Sequence, residues 1–393
     1  MAGLEPGKLR KYTGLRREAA KEGVINVNPI QRGGILSPEA REVLADFGHG
    51  YSICDFCLKG RVDTIKKPPV SDFLSDLASF LGMDVVRLTN RCRDAMFVAL
   101  MGLKKARGGS AVVVDGNAHY STYLAAEAAG LEVLEVPNTG HPEYKVVLEA
   151  YRTVMEEAED SGKTVVAAVL THADYHYGNL NDPRPVARAC RELGVPLVLN
   201  AAYTAGVMPV NGRELGADVL VSSGHKSWAS SGPVGILALR SEVAEDVLVR
   251  SSRFPEKELY LLGCPVLGVA LATLMASFLH VVERVARWPE EVRKARWLVE
   301  QMERIEGVRQ LGVRPKEHTL ICFETPGFYE ISKRHKRKGF FLYDELKARG
   351  IVGIQPGLTR RIKLNTYGLT DEEVERVASA FQEIAEKYGL EVH

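Results

Sequence analysis

Lys226 lies in Ser223-Gly224-His225-Lys226-Ser227-Trp228, directly behind the apolar run 218–222. Most lysines occupy exposed helix faces and loops. One placed in a desolvated pocket has its pKa lowered and can form a Schiff base with an aldehyde. The alternative is a lysine whose stem lies along apolar surface while its ammonium stays in water. The adjacent hydroxyls and imidazole offer partners for an anion such as phosphate. Other strand-like runs end in similar fashion. Run 196–199 stops at Asn200, where a pyridine nitrogen could find its hydrogen-bond partner. Run 111–114 is followed by Asp115-Gly116-Asn117-Ala118-His119-Tyr120, which puts an imidazole where it could stack on a flat ring. Run 165–170 is followed by Thr171-His172-Ala173-Asp174, polar groups suited to a ring hydroxyl. Asn90-Arg91-Cys92-Arg93 precedes a helical stretch starting near Ala95, whose first N–H groups can bind phosphate. Each element alone is weak, but as an ordered set at strand and helix ends they point to one site.

The thiols suggest a second chemistry. Cys54 and Cys57 form a C-x-x-C, and Cys264 opens an apolar stretch. Structural zinc normally needs four ligands, and a second pair is missing. A redox or sulfur-handling pair is therefore favoured over a zinc finger. An iron–sulfur cluster on Cys54, Cys57 and Cys264, with one open iron, stays open as an alternative. Cys190 and Cys322 sit in apolar segments and read as packing; Cys92 falls inside the proposed phosphate loop.

The elements that must position these groups alternate. Strand signals at 111–114, 131–136, 165–170, 196–199, 219–222 and 235–239 are mostly separated by helical stretches at 95–105, 122–129, 144–157 and 183–193. Such spacing implies crossover connections and a mainly parallel sheet covered on both faces. Ligands in such folds bind outside the carboxyl ends of the strands, where the residues above fall. The expected class is α/β: a large, mainly parallel sheet domain (61–285) and a smaller α+β C-terminal domain (286–393), preceded by an N-terminal arm (1–60) carrying the cysteine pair. Stretch 281–304 reads as one long charged amphipathic segment joining the two domains. Short strands are expected near 319–324 and 361–365, around a helix near 342–349. A last helix, 371–388, has Thr370 and Glu373 spaced as a capping box.

The 393 residues carry 51 Lys+Arg and 50 Asp+Glu, a formal net charge of +1 that argues against a dedicated polybasic binder. At 46% hydrophobic and 26% charged, the composition excludes wholesale disorder. Stretch 259–282 lacks Asp, Glu, Lys and Arg, but its Gly263, Pro265, Gly268 and His280 favour a buried core helix over a membrane span. No export signal is recognisable in the basic first 23 residues, so the expected location is cytoplasmic.

Lys226, His119, Asn200, the Asn90–Arg93 loop and the 353–361 segment together resemble the aspartate-aminotransferase-type (fold type I) pyridoxal-phosphate enzymes. The resemblance implies Lys226 as the Schiff-base lysine and His119 as the ring-stacking residue. It further implies Asn90, Arg91, Cys92, Arg93, Ser223 and His225 around the cofactor phosphate, with His172, Asp174 and Asn200 on the ring. Most of that superfamily has Asp where this chain has Asn200, and a neutral amide cannot keep the pyridine protonated as a carboxylate would. The weaker electron sink suits β-elimination of a good leaving group better than transamination.

Together with the cysteine pair and Asn28-Pro29-Ile30-Gln31-Arg32-Gly33-Gly34, the chain resembles the O-phosphoseryl-tRNA:cysteinyl-tRNA synthase family. That resemblance implies elimination of phosphate from tRNA-bound phosphoserine, assisted by Lys226, then addition of a persulfide sulfur carried by Cys54, Cys57 or Cys264. Arg32, Arg91 and Arg93 become candidates for the substrate phosphate, and phosphoseryl-tRNA(Cys) the expected partner. For its backbone, the basic run 333–338 and the N-terminal arm are candidate contacts. A homodimer is expected, and a complex with phosphoseryl-tRNA synthetase is a further option. Competing readings are a cysteine desulfurase or selenocysteine lyase acting on a free amino acid, and a non-catalytic sulfur-transfer or RNA-binding protein.

Overall fold

The computed structural model describes residues 23–30, 32–49, 52–53, 68–263 and 266–393, with Arg10 and Thr13. Cys54, Cys57 and Cys264 lie outside these residues. Seven strands form the large sheet: β1 (Val85–Thr89), β2 (Ala111–Asp115), β3 (Glu132–Val136), β4 (Val165–Thr171), β5 (Leu197–Asn200), β6 (Val219–Ser223) and β7 (Gly235–Leu239). Their order across the sheet is β1-β7-β6-β5-β4-β2-β3. Strands β3, β2, β4, β5 and β6 pair in parallel, whereas β7 runs antiparallel to both β6 and β1.

Every residue of β2 and β4 is buried. Their runs are continuously apolar because helices cover both faces, and the strand's two-residue period sends alternate side chains to opposite cores. Val113 packs with Tyr151, Val186 and Leu271 on one side, while Val112 and Val114 pack with Met96, Leu100 and Ala125 on the other. The helices concerned include α1 (Cys92–Arg107), α2 (Tyr120–Ala128), α3 (Ala150–Asp160) and α4 (Arg184–Glu192).

Sequence patterning missed β1, whose run Val-Val-Arg-Leu-Thr is split by a charged residue; Arg87 is held there by the buried Glu258 at 2.9 Å. The expected helix from 144 starts only at Ala150. Tyr144 adopts φ of 46°, stacks on Tyr177 with ring centroids 4.0 Å apart, and Val146 bridges to Asn138. Those contacts hold the segment out of helical geometry.

The apolar stretch becomes α6 (Gly268–Val285), following the four-residue α5 (Gly224–Ser227). By length and composition α6 could cross a membrane, yet Ala270, Leu271, Leu274 and Val281 belong to the sheet's core. The expected continuous segment 281–304 is broken at Ala286-Arg287, and α7 (Trp288–Glu303) restarts with a proline in its first turn, where the missing N–H costs nothing. Beyond it, β8 (Arg309–Leu311), β9 (Leu320–Glu324) and β10 (Arg361–Asn365) form an antiparallel sheet, and α8 (Asp371–Lys387) begins with the expected Thr370/Glu373 capping box. Ile25 and Val27 are buried in the same core as Phe323 and Phe381, and Ile25–Asn26 pairs in parallel with Ile351–Val352.

Candidate active site

The carboxyl ends of β4, β5 and β6 meet the amino end of α1 around a cavity of about 430 Å³. That volume lies within the range of small-molecule and cofactor sites. Arg91, Cys92 and Arg93 enter it at the amino end of α1, His119 from the cap of α2, Asn200 and Ser223 from the ends of β5 and β6, and His225 and Lys226 from the short helix Gly224–Ser227. These eight residues, scattered over 136 positions of sequence, were all expected at one site.

Lys226 occupies the short helix α5. Among the described residues its amine makes no ion pair and no hydrogen bond; it lies 4.5 Å from the centroid of the Tyr203 ring. Burial holds the amine below the ordinary lysine value, opposed by Cys92 and reinforced by Arg93. Such a setting favours the neutral amine more than an exposed one would. Burial also pushes the Cys92 thiol up to about 11, so that cysteine stays protonated and unreactive.

The short helix is clamped from behind. Arg284, from α6, is buried and donates to the carbonyls of Gly206 at 3.0 Å, Gly33 at 2.9 Å and Ser227 at 2.6 Å. Gly33 and Gly34 press against the same turn. A Cβ on Gly34 would lie 1.8 Å from the His225 carbonyl oxygen, and one on Gly33 2.7 Å from that of Lys226. Only glycine allows that approach. Sequence reasoning missed Arg284, since a charged residue at the end of an apolar helix gives no local sign of what it grips.

Anion-binding groups converge at one end. The first backbone N–H groups of α1, on Cys92 and Arg93, have no backbone acceptor among the described residues, because the intrahelical pattern starts with Asp94 and Ala95 donating to Arg91. Ser223 Oγ and His225 Nδ1 are 3.3 Å apart nearby. Burial lowers both His225 and His119 to about 4, with Lys226 adding to each, so both imidazoles are neutral. Among the described residues no carboxylate lines the cavity. The site is cationic and fits a bound phosphate.

Two groups suit the edge of a flat heteroaromatic ring. Asn200 Oδ1 accepts from the Ala202 N–H at 3.2 Å, which fixes the amide's orientation and leaves Nδ2 with no partner among the described residues. Thr171 Oγ1 is buried at the cavity wall without a hydrogen-bond partner. Its N–H donates to the Asp115 carboxylate at 2.8 Å, and burial pushes that carboxyl up to about 6 while the Thr171 backbone and side chain pull it down. A buried orphan hydroxyl is costly unless something fills the cavity. A free amine, an orphan hydroxyl, an amide donor and a phosphate cradle fit pyridoxal phosphate.

Other expected residues fall elsewhere. Asp174 is fully buried, accepts from the N–H groups of Tyr177 at 2.6 Å and Asn179 at 3.1 Å, and so closes its own loop. His172 lies behind the cavity wall, its Nδ1 2.9 Å from Thr204 Oγ1, and burial lowers it to about 4. Asn90 is exposed and does not line the cavity. Arg32 turns away to donate to the Tyr367 carbonyl at 2.9 Å, in the field of Glu373 and Glu291, so it is not presented to a substrate phosphate here. Tyr203, in the Asn200-Ala201-Ala202-Tyr203 segment, and Tyr175 also line the cavity. Their only sequence signal was position just after β4 and β5.

The family model described as O-phosphoseryl-tRNA(Sec) selenium transferase, SepSecS, matches residues 73–386. Over 381 residues the chain is 59% identical to O-phospho-L-seryl-tRNA:Cys-tRNA synthase 2 of Archaeoglobus fulgidus, covering 94% of this chain and 96% of that protein. It is 54% identical over 393 residues to the O-phospho-L-seryl-tRNA:Cys-tRNA synthase of Methanopyrus kandleri, covering 98% and 99%. Among solved structures, a SepCysS–SepCysE N-terminal domain complex matches with a TM-score of 0.89 at 49% identity, over 97% of this chain and 99% of that one. A cysteine desulfurase from Thermococcus onnurineus NA1 matches at TM-score 0.69 and 16% identity, over 98% and 100%, a likeness of fold alone.

Proposed function

The chain belongs to the SepSecS family, in the group of O-phospho-L-seryl-tRNA:Cys-tRNA synthases, and from that premise we propose how its cavity serves the reaction. The protein is a pyridoxal-phosphate-dependent enzyme that converts tRNA-bound O-phosphoserine to cysteinyl-tRNA(Cys). The observation carrying the site assignment is Lys226: a half-buried amine over the Tyr203 ring, without an ion pair among the described residues, in a cationic cavity.

Pyridoxal phosphate, when bound, supplies a conjugated electron sink that acidifies the substrate's Cα–H and lets the β-phosphate depart. Lys226 Nζ, whose burial favours the neutral amine, takes that proton as general base. The α1 N–H groups, Arg91, Ser223 and His225 would hold the cofactor phosphate, and His119 would flank the ring. Asn200, whose Oδ1 is taken by the Ala202 N–H, would offer its Nδ2 hydrogen to the ring nitrogen. Thr171 would offer its hydroxyl to the ring's oxygen substituent. Arg93, exposed and 3.3 Å from the Tyr120 hydroxyl, takes the substrate phosphate.

Sulfur arrives as a persulfide on Cys54, Cys57 or Cys264. Its outer sulfur bonds to the β-carbon that phosphate has left, and a second cysteine thiol then attacks the carrier sulfur. That releases the product thiol and leaves a protein disulfide, which sulfide opens to give the persulfide on one cysteine and a free thiol on the other. Leu262, Leu267 and Leu279 are exposed, as a homodimer interface would require. In the basic run, Lys333 pairs with Glu330 at 2.6 Å and Arg337 with Asp344 at 2.7 Å, which leaves exposed Arg334, Lys336 and Lys338 for the tRNA backbone.

The test uses purified, cofactor-loaded protein with phosphoseryl-tRNA and sulfide, following phosphate and cysteinyl-tRNA together, with free phosphoserine in parallel. Both products should form from the tRNA-linked substrate. Alanine from free cysteine, with neither product from phosphoseryl-tRNA, would instead establish a desulfurase.

A further inference from the structure

A second cavity of about 480 Å³ adjoins the first, with Tyr175 lining both. Its walls come from residues 28–30, the Tyr175-His176-Tyr177 loop and the 353–363 segment of the C-terminal region. Arg361 and Lys363, two residues apart on β10, share one face of the strand, while Ile362 and Leu364 are buried in the small core on the other. Among the described residues neither cation pairs with a carboxylate. Arg361 donates to the Tyr144 hydroxyl at 3.3 Å, and Lys363 Nζ donates to the Tyr175 carbonyl at 3.3 Å and sits 3.2 Å from that ring's centroid. Tyr175 in turn lies 6.0 Å from Tyr203, the ring beneath Lys226. One pair of tyrosines therefore separates the reacting amine from two cations that have no carboxylate partner among the described residues.

A phosphoseryl ester that reaches Lys226 leads, a few bonds later, to a ribose, a base and a phosphodiester. We propose that this second cavity holds the 3′-terminal nucleoside of the tRNA acceptor end, its base against Tyr175 and Tyr177 and its phosphodiester on Arg361 and Lys363. The inference rests on the phosphoseryl-tRNA substrate. Esterification removes the amino acid's own carboxylate charge, so the cations here have the nucleotide phosphate as their anion. Base–aromatic stacking is sequence-tolerant, and its usual strength corresponds to about a 5- to 150-fold gain in affinity.

The experiment measures binding of uncharged tRNA(Cys), intact or lacking its terminal nucleotide, to the cofactor-loaded enzyme. Wild type should prefer intact tRNA by at least about fivefold. Lys363→Gln and Arg361→Ala should each reduce that preference while binding truncated tRNA as wild type does. Hydrogen exchange on wild type needs no variant: intact tRNA should protect 175–177 and 353–363, and truncated tRNA should not. Equal binding of the two tRNAs by wild type, or a preference unchanged in both variants, overturns the assignment. Failure of wild type to bind either tRNA overturns the substrate reading itself.

Discussion

Arg284→Met tests the clamp behind the reactive lysine. Methionine keeps most of the aliphatic stem, so the change chiefly removes hydrogen-bond donors. The Gly33 carbonyl keeps a second donor, the Ala229 N–H at 3.1 Å. The Gly206 and Ser227 carbonyls lose the guanidinium, their only donor among the described residues. A buried polar group left unsatisfied costs about 1–3 kcal/mol, so two cost about 2–6 kcal/mol. Relief from burying a charge offsets part of this, since burial already lowers the Arg284 pKa. A net loss of about 2–4 kcal/mol is expected, against a typical total of about 5–15 kcal/mol. The assay is urea unfolding followed by tryptophan fluorescence, with Trp228 buried one residue beyond Ser227. Cofactor release, followed by visible absorbance after dilution, should also quicken because Ser227 is the neighbour of Lys226. A loss below about 1 kcal/mol with unchanged cofactor release would refute the clamp, showing that the carbonyls find other donors.

Lys226→Ala is expected to abolish both phosphate release and cysteinyl-tRNA formation in a coupled assay; retained elimination would assign the proton transfer to another group. Serine at Cys54, Cys57 or Cys264 should stop sulfur incorporation while part of the phosphate release persists, and equal loss of both activities would contradict a carrier role. Asn200→Asp should change the visible absorbance of bound cofactor and raise transamination relative to phosphate release; an unaltered spectrum would mean that residue 200 does not meet the ring nitrogen. Burial holds His318 at about 3 and His172 at about 4, below the usual imidazole value of about 6.5. The unfolded chain therefore binds more protons below that pH, and each group removes about 1.4 kcal/mol of stability per pH unit as pH falls from about 6.5 towards its folded value. His318→Gln should flatten that decline, and an unchanged pH dependence of unfolding would exclude His318 as a contributor.

The sequence by itself determined the layered α/β frame and the residues at its strand ends. Both are written in local pattern: apolar runs such as β4, helical spacing between them, and reactive side chains placed just past each run. Lys226, His119, Asn200 and the Arg91–Arg93 turn were legible for that reason. The tertiary structure decided which neighbours share a surface. Asp174 and Thr171 are three residues apart, yet Asp174 folds back to close its loop while Thr171 lines the cavity. Arg32 lies next to the glycines that abut Lys226, but its guanidinium is drawn to Tyr367, 335 residues away. The grip of Arg284 on three carbonyls, and the meeting of Tyr175 with Lys363, join segments that no period or motif connects. Local propensity sets what a residue can do, but long-range packing fixes which partner it meets, because a buried charge or hydroxyl must find whatever donor or acceptor the folded chain brings within reach.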